Sequence, residues 1–451
     1  MESSSSLSRD RAKALAEQLP PLTANEAAVE ADRCLYCYDA PCTHACPTHI
    51  DIPRFIKQIA SRNLRGSAET IFAANLLGAT CARVCPVQEL CEGACVLGTD
   101  HKPIAIGRLQ RHAMDYARER KLYPVVKAAP TDRSIAVIGA GPAGLSCAGE
   151  LAKLGYAVTI YEKRALPGGL STYGILALRE PAEIALEEAR MIEGLGVRIE
   201  TGIEFSKDIS LSQLEEAFDA VVLSVGLGRT PTLEIEGEEA IIDGLEFIEA
   251  SKACETELHT GHRVIVIGAG NTAIDCATIA KRLGSEQVTM VYRRTEREMS
   301  CYPHEYDFGR KEGIEFRFLA QPVRVLSENG YPVGLECLRV ELGAPDASGR
   351  ATPMPVSGSE FVLAADQIVK AIGQKKPSLA VQIGLRTKKG FISVDSNFQT
   401  SLAGIYAIGD CIRSCGAAST VMAVQDGKLA AAAIHQQLVQ RREPSTPAEV
   451  R

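Results

Sequence analysis

Residues 134–163 read SIAVIGAGPAGLSCAGELAKLGYAVTIYEK, an apolar run, a glycine-rich turn, a helix-compatible stretch and a second apolar run. This order is typical of a strand–turn–helix–strand unit that binds a dinucleotide. The turn has the pattern G-x-G-x-x-G, which lets a pyrophosphate approach the backbone at the helix N-terminus. Glu162 ends the second run, where a carboxylate accepts hydrogen bonds from ribose hydroxyls. The stretch therefore predicts a Rossmann-like domain.

The same order of features returns in residues 262–294, which read HRVIVIGAGNTAIDCATIAKRLGSEQVTMVYRR. Here Ala273 replaces the third glycine, and the second strand ends in Tyr292-Arg293-Arg294 instead of an acid. Two guanidinium groups suit the 2′-phosphate of NADPH, whereas an acid would bind the 2′-hydroxyl of NADH. We expect a second nucleotide site that takes NADPH. The alternative is that both arginines lie on a solvated strand end.

A third signal lies at residues 404–411, GIYAIGDC, where a strand runs into Gly409-Asp410 before the helix-compatible stretch at 420–438. We expect it to complete the first dinucleotide domain, with the second domain inserted within the first. The polar segment 441–451 is expected to form a frayed tail.

Residues 1–128 contain no strand-like run, and their apolar residues recur at three- and four-residue spacing, which predicts helices. Eight of the fifteen cysteines lie in this region. Short loops between thiolates let several sulfurs converge on one iron–sulfur cubane, so spacing alone assigns all eight to two [4Fe–4S] clusters. Zinc is the alternative, although zinc transfers no electrons. The two cysteine blocks are Cys34-x2-Cys37-x4-Cys42-x3-Cys46-Pro47 and Cys81-x3-Cys85-Pro86 with Cys91-x3-Cys95.

The cysteines outside this region are expected to serve packing, because free cysteine is commonly a small buried hydrophobe. A redox role stays open for Cys411 and Cys415, which form a C-x3-C pair. The isolated cysteines are Cys147, Cys254, Cys276, Cys301 and Cys337.

Composition excludes several classes of function. The formal net charge of −7 is spread without a long block of one sign, so neither a nucleic-acid nor a membrane partner is expected. No segment reaches the ~18 apolar residues of a membrane-spanning helix, and the N-terminal residues lack the apolar core of a signal peptide. We therefore expect a cytoplasmic protein.

The turn Pro167-Gly168-Gly169-Leu170 and the later Gly409-Asp410, together with the first glycine-rich turn, resemble the FAD domain of the two-dinucleotide flavoprotein reductases. That resemblance implies that Asp410 binds the ribityl chain and that a helix starting at Thr420 points its N-terminus at the isoalloxazine. The alternative for Asp410 is a helix cap. The candidate cofactor-binding residues are Gly139, Gly141, Pro142, Ala143, Gly144, Glu162, Lys163, Gly169, Leu170, Gly268, Gly270, Asn271, Thr272, Ala273, Arg293, Arg294, Gly409, Asp410 and Thr420.

Nearly end to end, the chain resembles the electron-input subunit of bacterial NAD(P)-dependent dihydropyrimidine dehydrogenase. The segment Ile106-Gly107-Arg108-Leu109-Gln110 matches a pattern of that family in which the glutamine is an unusual cluster ligand. The most specific stretches are Arg33-Cys34-Leu35-x-Cys37, Asp39-Ala40-Pro41-Cys42, Cys46-Pro47-Thr48-His49-Ile50-Asp51-Ile52 and Cys81-Ala82-Arg83-Val84-Cys85-Pro86.

The resemblance implies a ligand set that differs from the one given by spacing. It leaves Cys81 free and brings in Gln110, whose neutral amide makes its cluster less negative than four thiolates would. One cluster would be held by Cys34, Cys37, Cys42 and Cys95, and the other by Cys46, Cys85, Cys91 and Gln110.

The resemblance also implies the function. The chain would take hydride from NADPH onto FAD and pass single electrons through both clusters to a partner with FMN, which reduces uracil and thymine. No catalytic acid–base constellation is needed, and no residues remain for the FMN-binding barrel itself. Bacterial subunits of this type are often NADH-linked, so NADH stays possible. A symmetric hetero-oligomer with two copies of each subunit is the expectation.

Three alternatives stay open. The small subunit of glutamate synthase shares both cysteine blocks, both nucleotide folds and the Tyr-Arg-Arg strand end. A free-standing NADPH–ferredoxin or sulfur reductase is the second, and a redox sensor without turnover is the third.

The predicted fold class is α/β, two nested Rossmann-like domains preceded by an α-helical iron–sulfur domain. The predicted divisions are 1–128 for the clusters, 129–245 for the first FAD part, 246–372 for NAD(P)H, 373–440 for the second FAD part and 441–451 for the tail.

Overall fold

The computed structural model describes residues 17–252, 260–346, 349–413 and 418–440. Two of the expectations above, those for Cys254 and Cys415, lie outside the described residues, as does the tail 441–451. The chain forms two compact units. The larger unit comprises Pro20–Thr172, Ala182–Gly228 and Lys376–Arg451, and the smaller unit comprises Met1–Leu19, Tyr173–Pro181 and Arg229–Lys375.

The larger unit begins with helices and loops, and no strand occurs in its described residues before 134. Thr23 starts the first helix with a capping box, in which its hydroxyl accepts from the Glu26 N–H and the Glu26 carboxylate accepts from the Thr23 N–H. The helices are α1 (Ala24–Asp32), α2 (Pro41–Ala45), α3 (Ile52–Ala60), α4 (Leu64–Ala74), α5 (Gly78–Val84) and α6 (Ile106–Glu119).

A five-stranded parallel sheet follows in the same unit, with the order β16-β4-β1-β2-β3. Its strands are β1 (Ser134–Ile138), β2 (Ala157–Glu162), β3 (Arg198–Thr201), β4 (Ala220–Leu223) and β16 (Ile405–Ala407). Its helices are α7 (Pro142–Lys153), α8 (Leu170–Tyr173), α9 (Ala182–Gly194), α10 (Leu211–Ala217), α14 (Leu379–Gln382) and α15 (Thr420–Gln440). Because β16 pairs with β4, the segment at 404–411 completes the first dinucleotide fold as predicted.

The helical part and the first sheet share one hydrophobic core. A methyl group added to Gly149 of α7 would overlap both Leu76, which precedes α5, and Ile192 of α9, so these segments pack directly on one another. The helices that carry the cysteines are thus built onto the first dinucleotide fold, without a separate core of their own.

The smaller unit contains a second parallel sheet, with the order β5-β13-β6-β7-β8. Its strands are β5 (Ile242–Asp243), β6 (Arg263–Ile267), β7 (Gln287–Val291), β8 (Glu315–Arg317) and β13 (Gln367–Lys370). Its helices are α11 (Gly244–Lys252), α12 (Asn271–Arg282) and α13 (Pro303–Lys311). The second dinucleotide fold therefore interrupts the first, and the predicted fold class is confirmed.

An antiparallel sheet in the smaller unit was not anticipated from the sequence. Its first two strands form a hairpin whose turn residues Asn329 and Gly330 both have positive φ, at 53° and 83°. Asn-Gly between two β-rich runs is the strongest short hairpin signal, so the sequence did contain a clue. The strands are β9 (Ala320–Glu328), β10 (Tyr331–Pro345), β11 (Ala351–Pro355) and β12 (Phe361–Ala364).

The predicted domain boundaries stay predictions, but the unit borders of the structure fall elsewhere. The chain enters the smaller unit at Arg229, earlier than the predicted boundary at 246, because β5 at Ile242 pairs with β13 at Val369. It returns to the larger unit at Lys376, where a short pair of strands, β14 (Thr387–Lys388) and β15 (Phe391–Ile392), follows. Among the described residues, no helix combines the length and apolar character needed to cross a bilayer.

Candidate functional site

One cavity of the larger unit is lined by four cysteines and by apolar side chains, and encloses about 390 Å³, part of it open to solvent. Burial raises the pKa of the Cys42 thiol to about 11, and neighbouring thiolates add to the shift. Burial likewise raises the pKa of Cys34. The four cysteines are Cys34, Cys37, Cys42 and Cys95, which are the predicted ligands of the first cluster.

A second cavity, of about 370 Å³, lies in the same unit. Five candidate ligands line it, one more than a cubane needs, because both Cys81 and Gln110 contribute. The Gln110 side chain is 8% exposed, and its Nε2 donates to the Gly78 carbonyl at 2.8 Å. This hydrogen bond leaves the amide oxygen as the atom that a metal could take. The other lining ligands are Cys46, Cys85 and Cys91.

Two thiols of the second cavity, those of Cys85 and Cys91, have raised pKa values. A hydrogen bond with Cys81, followed by burial, raises the pKa of Cys85 well above its ordinary value. Burial and the neighbouring Glu92 carboxylate raise the pKa of Cys91. Metal-bound thiols are deprotonated, so this donor set needs a strong local positive charge to form.

The arrangement of the cysteines differs from that of a preformed zinc site. Within the ranges that the structure describes, no three His, Cys, Asp or Glu side chains come close enough together to hold a single metal ion. Zinc would require its sulfurs at about 2.3 Å from one point.

Asn75 is further evidence that the second cavity binds a group. Its side chain is 1% exposed and lines the cavity. The amide oxygen accepts from the Leu77 N–H at 2.9 Å, while the buried Nδ2 has no hydrogen-bond partner among the residues that the structure describes. Buried donors are nearly always satisfied, so a donor left over at a cavity wall points to a missing acceptor. Sequence analysis did not identify this residue.

Glu188 of α9, also not identified from the sequence, holds the helix that carries Cys81 and leads into Cys85. Its carboxylate is buried, and Oε1 accepts from the N–H groups of Ala79 and Thr80 at 2.7 and 3.2 Å. These are first-turn donors of α5, which no intrahelical carbonyl can satisfy. Glu188 therefore fixes α5 against the first dinucleotide fold.

At two positions of the first glycine-rich turn, a side chain would be strained or would clash. Gly139 has φ of 104°, and a Cβ on Gly144 would overlap the Gly139 carbonyl. Gly141 differs, because the nearest atom to an added Cβ is the Gly169 Cα at 4.0 Å. That open space above the N-terminus of α7 is where a pyrophosphate would lie. Pro142 and Ala143 form the first turn of α7.

Glu162 lies at the end of β2 as predicted, and it also organises the turn. The buried carboxylate accepts from the Ala140 N–H at 2.8 Å through Oε2 and from the Arg164 N–H at 2.9 Å through Oε1. Each oxygen keeps a second lone pair that a ribose hydroxyl can use. The neighbouring Lys163 is exposed.

The turn at 167–170 lies directly against the glycine-rich turn. The Gly168 N–H donates to the Ala140 carbonyl at 2.8 Å, and a Cβ on Gly169 would come within 2.8 Å of the Gly141 Cα. Leu170 is exposed at the start of α8. Two backbone segments of the predicted FAD site are thus in contact.

Gly409 and Asp410 begin a short 3-10 helix at the end of β16. Burial raises the pKa of Asp410, and the nearby Arg413 opposes that shift. Asp426 of α15, which was not predicted, accepts from the Gly409 N–H at 3.3 Å and pairs with Arg413. Asp426 therefore links this loop to the helix that starts at Thr420.

The second glycine-rich turn connects β6 to α12. Gly268 has φ of 140°, and a Cβ there would overlap the Ala371 carbonyl. Asn271 opens α12, and its Oδ1 accepts from the Tyr302 N–H at 3.0 Å. Thr272 follows in the first turn. The remaining candidate residues of this turn are Gly270, at the N-cap, and Ala273, which is fully buried.

The two arginines that were predicted to clamp a 2′-phosphate have different environments. Arg293 is exposed. Arg294 is 4% exposed, with Nε donating to the Ala351 carbonyl at 2.8 Å and a nitrogen 3.3 Å from Asp346. Arg294 thus anchors the antiparallel sheet, and Arg293 is the accessible member of the pair. The double clamp stays a prediction.

The cysteines outside the two cavities pack as expected where they are described. Cys147, Cys276 and Cys337 are fully buried, and Cys301 is half-buried. Cys411 is also fully buried, its thiol donates to the Ile408 carbonyl at 3.1 Å, and burial raises its pKa to about 12. A thiol in that environment is a poor nucleophile.

Comparison with known families matches both parts of the chain. Residues 133–428 match the pyridine nucleotide-disulphide oxidoreductase family, and residues 11–122 match the family described as dihydropyrimidine dehydrogenase domain II, 4Fe-4S cluster. The expected cofactors FAD, NAD(P)H and [4Fe–4S] are in line with both matches.

Three curated relatives are similar along most of this chain. The putative oxidoreductase AegA of Escherichia coli is 36% identical, over 92% of this chain and 66% of its own length. The glutamate synthase [NADPH] small chain of Escherichia coli is 33% identical, over 91% of both chains. The NAD-dependent dihydropyrimidine dehydrogenase subunit PreT of Escherichia coli is 35% identical, over 94% of this chain and 97% of its own. This chain thus spans about two thirds of AegA but nearly all of the other two.

Among solved structures, FprA of Mycobacterium tuberculosis in complex with NADPH has a TM-score of 0.57 and 19% identity, over 69% of this chain and 85% of its own. At that identity the match supports the fold alone. Family matches, fold and relatives agree on an electron-transferring flavoprotein with an iron–sulfur region. The chain belongs to the pyridine nucleotide-disulphide oxidoreductase family and carries a 4Fe–4S domain of the dihydropyrimidine dehydrogenase type ahead of its nucleotide-binding folds.

Proposed function

We propose that this chain is the electron-input subunit of a dihydropyrimidine dehydrogenase. When bound, FAD accepts hydride from NAD(P)H, and two [4Fe–4S] clusters carry single electrons to an FMN-bearing partner that reduces uracil and thymine. The observation that carries the proposal is Gln110, which lies in the wall of the second cavity together with four cysteines, three of them proposed ligands. A relative named as a dihydropyrimidine dehydrogenase subunit matches over 97% of its own length.

The proposed ligands follow the two cavities. The first cluster would be held by thiolates alone, and the second by three thiolates and the Gln110 amide oxygen. Cys81 would remain a buried thiol beside the second cluster, where it contacts Cys85. The two sets are Cys34, Cys37, Cys42 and Cys95, and Cys46, Cys85, Cys91 and Gln110.

The protein positions the flavin by backbone contacts. The open face at Gly141 and the N-terminus of α7 would receive the pyrophosphate, and Glu162 the adenosine ribose. Asp410 would bind the ribityl chain, while the N-terminus of α15 at Thr420 would stabilise negative charge on the reduced ring.

The arrangement of the larger unit supports an electron route away from the flavin site. Val421, in the first turn of α15, lines the second cavity, and Ile52 lines both cavities. The second cavity therefore lies beside the proposed flavin-facing helix, and the first cavity lies one side chain beyond it. This order supports delivery of electrons to a partner at the first cavity.

For the nicotinamide substrate we propose NADPH, with NADH possible. The exposed Arg293 at the end of the second strand supports a 2′-phosphate contact. The relatives differ, because the glutamate synthase small chain is named for NADPH and the dihydropyrimidine dehydrogenase subunit for NAD.

The second candidate is the small chain of glutamate synthase, favoured by Tyr292-Arg293-Arg294 and by a relative that matches over 91% of its length. Its electrons would go to a large amidotransferase chain. The cofactors and their residues would be the same in both cases, and only the partner and final substrate would differ. In either case we propose that the protein is cytoplasmic and forms a hetero-oligomer with two copies of each chain. We propose no nucleic-acid or membrane partner.

An anaerobic affinity purification of the native chain from its own cells, with mass spectrometry of the co-purifying chain, tests this proposal. We expect an FMN-binding partner and uracil-dependent oxidation of NADPH by the complex. Recovery of a large amidotransferase with glutamine-dependent oxidation would instead assign the chain to glutamate synthase. Recovery of the chain alone, with NADPH-driven reduction of free ferredoxin, would contradict both.

A further inference from the structure

The wall of the second cavity contains a hydrogen-bond donor for which the described part of the chain supplies no acceptor. Asn75 follows the last residue of α4, and its side chain is held from one end, because Oδ1 accepts from the Leu77 N–H at 2.9 Å. The opposite end of the amide, Nδ2, is buried and has no partner within the described ranges of the chain. Because the oxygen accepts this hydrogen bond, the orientation of the amide is fixed. The group that remains for another partner is the NH₂ donor.

A buried donor without an acceptor is unfavourable, because it has lost its hydrogen bonds to water and gained none in the protein. Asn75 is 1% exposed, so bulk water does not satisfy it. The cost disappears if the cavity holds an acceptor, and the sulfurs of an iron–sulfur cluster are acceptors of hydrogen bonds. Among the described residues that line either cavity, Asn75 is the one asparagine.

The surroundings of Asn75 also include a lysine side chain. Lys428 of α15 places its Nζ 3.0 Å from the carbonyl of Ala74 and 3.3 Å from that of Thr48, which itself lines the cavity. Lys428 therefore binds two backbone segments at the cavity wall, one of them next to Asn75, although its own side chain is not among those that line the cavity.

We propose that Asn75 donates a hydrogen bond from Nδ2 to a sulfur of the cluster in the second cavity and thereby raises the reduction potential of that cluster. The proposal rests on the proposed assignment of this cluster to Cys46, Cys85, Cys91 and Gln110. A hydrogen bond to sulfur stabilises the more negative, reduced cluster, so its loss lowers the potential. Asn75 is a positioning and tuning residue, and it does not ligate iron.

The test is an EPR-monitored redox titration of the anaerobically purified full chain carrying Asn75→Leu. We expect a shift of the second cluster's midpoint potential to a more negative value, with the first cluster unchanged. The matched control is Asn63→Leu, because the Asn63 side chain likewise accepts from a backbone N–H near a helix start, that of Gly66 at 2.9 Å, but borders neither cavity. The control should leave both potentials unchanged.

A second measurement needs no variant. In the reduced wild-type chain labelled with ¹⁵N in the asparagine side-chain amide, pulsed EPR should detect coupling of the second cluster to that nitrogen, and ENDOR an exchangeable proton that D₂O removes. Full iron content with unchanged potential in Asn75→Leu would overturn the proposal. If that variant loses the cluster, the wild-type coupling decides, and its absence overturns the proposal.

The failure of the underlying assignment has a different signature. A wild-type chain that contains one cluster, or two clusters whose spectra do not respond to Gln110→Ala, would contradict the proposed ligand set. Two clusters that respond as assigned, without coupling to Asn75, would contradict only the role of Asn75.

Discussion

At the residue scale, the glycines of the first turn separate a role in folding from a role in binding. A Cβ at Gly144 would overlap the Gly139 carbonyl, whereas a Cβ at Gly141 meets no protein atom closer than 4.0 Å. The two positions belong to one motif, yet only the second leaves room that a ligand would fill. The sequence pattern alone does not distinguish them.

Gly141→Ala is therefore expected to fold normally and to bind FAD at least about tenfold more weakly, because the methyl group would occupy the path of the pyrophosphate. Flavin content and thermal unfolding of the apoprotein would measure the two effects. Gly194→Ala, at the end of α9 where an added Cβ meets nothing, is the control and should leave both unchanged. Full FAD affinity in Gly141→Ala would contradict the proposed site.

The two arginines after β7 are expected to respond differently to replacement by alanine. Arg293→Ala should raise the KM for NADPH by about tenfold or more and leave NADH unaffected, because only NADPH offers a 2′-phosphate. Arg294→Ala should lower the free energy of unfolding by about 1–3 kcal/mol, because the Ala351 carbonyl and the Asp346 carboxylate would lose a donor. Steady-state kinetics and urea denaturation measure these effects. An equal loss with NADPH and NADH in Arg293→Ala would mean that this arginine does not contact the phosphate.

Gln110 and Cys81 provide a direct comparison of the two ligand assignments. Gln110→Ala is expected to disturb the second cluster while sparing FAD, because the cluster loses a ligand and the nucleotide folds lose nothing. Cys81→Ala is expected to keep the iron content, because Cys81 is not a ligand in the proposed set. Iron analysis and EPR spectra measure both. The opposite pattern would favour the eight-cysteine assignment from spacing.

At the scale of elements, α5 connects the cluster region to the first dinucleotide fold. Glu188 satisfies two N–H groups of its first turn, and the Gly78 carbonyl at its start holds the Gln110 amide. The helix also carries Cys81 and leads directly into Cys85. The position of α5 therefore governs one side of the second cavity.

Glu188→Ala is expected to lower the free energy of unfolding by about 1–3 kcal/mol and to reduce occupancy of the second cluster, because buried N–H groups of α5 lose their acceptor. Chemical denaturation and iron content would be measured together. Glu187→Ala is the matched control. Glu187 is the neighbour of Glu188 on α9, but its side chain pairs with Arg118 at 2.6 Å and not with α5. Equal effects of both substitutions would argue against a specific role of Glu188.

At the scale of the whole molecule, the chain forms two units with separate sheets and separate hydrophobic cores. Each unit contains one glycine-rich turn, at Gly139–Gly144 in the larger unit and at Gly268–Ala273 in the smaller unit. A ligand that binds only the native form of a unit stabilises that unit. The two nucleotides should therefore protect different parts of the chain.

Hydrogen exchange measured by mass spectrometry tests this expectation. NADP⁺ added to the FAD-loaded chain should slow exchange in the first turns of α12, and removal of FAD should speed exchange around α7 and the start of α15. Protection by NADP⁺ around α7 without any change in α12 would contradict the assignment of the nucleotides to the two turns.

The sequence by itself determined the elements whose signals are local. Apolar runs, glycine spacing and helical periodicity act over a few residues, so both dinucleotide folds, their nesting and the helical N-terminal region were predicted correctly. The antiparallel sheet β9–β12 was missed even though Asn329-Gly330 marks its hairpin. The cysteine spacing likewise indicated iron–sulfur chemistry, because short loops restrict where thiolates can converge.

Residue spacing did not determine which of these groups meet; the family resemblance implied the grouping of the ligands, and only the tertiary structure brings them together. Cys95 joins Cys34, Cys37 and Cys42, and Gln110 joins Cys46, across loops whose lengths do not specify a partner. Arg294 is buried because β11 lies against it, and Asn75 is left with an unused donor because Leu77 takes its oxygen. Such outcomes depend on packing between segments distant along the chain, where burial and hydrogen-bond competition outweigh any local preference.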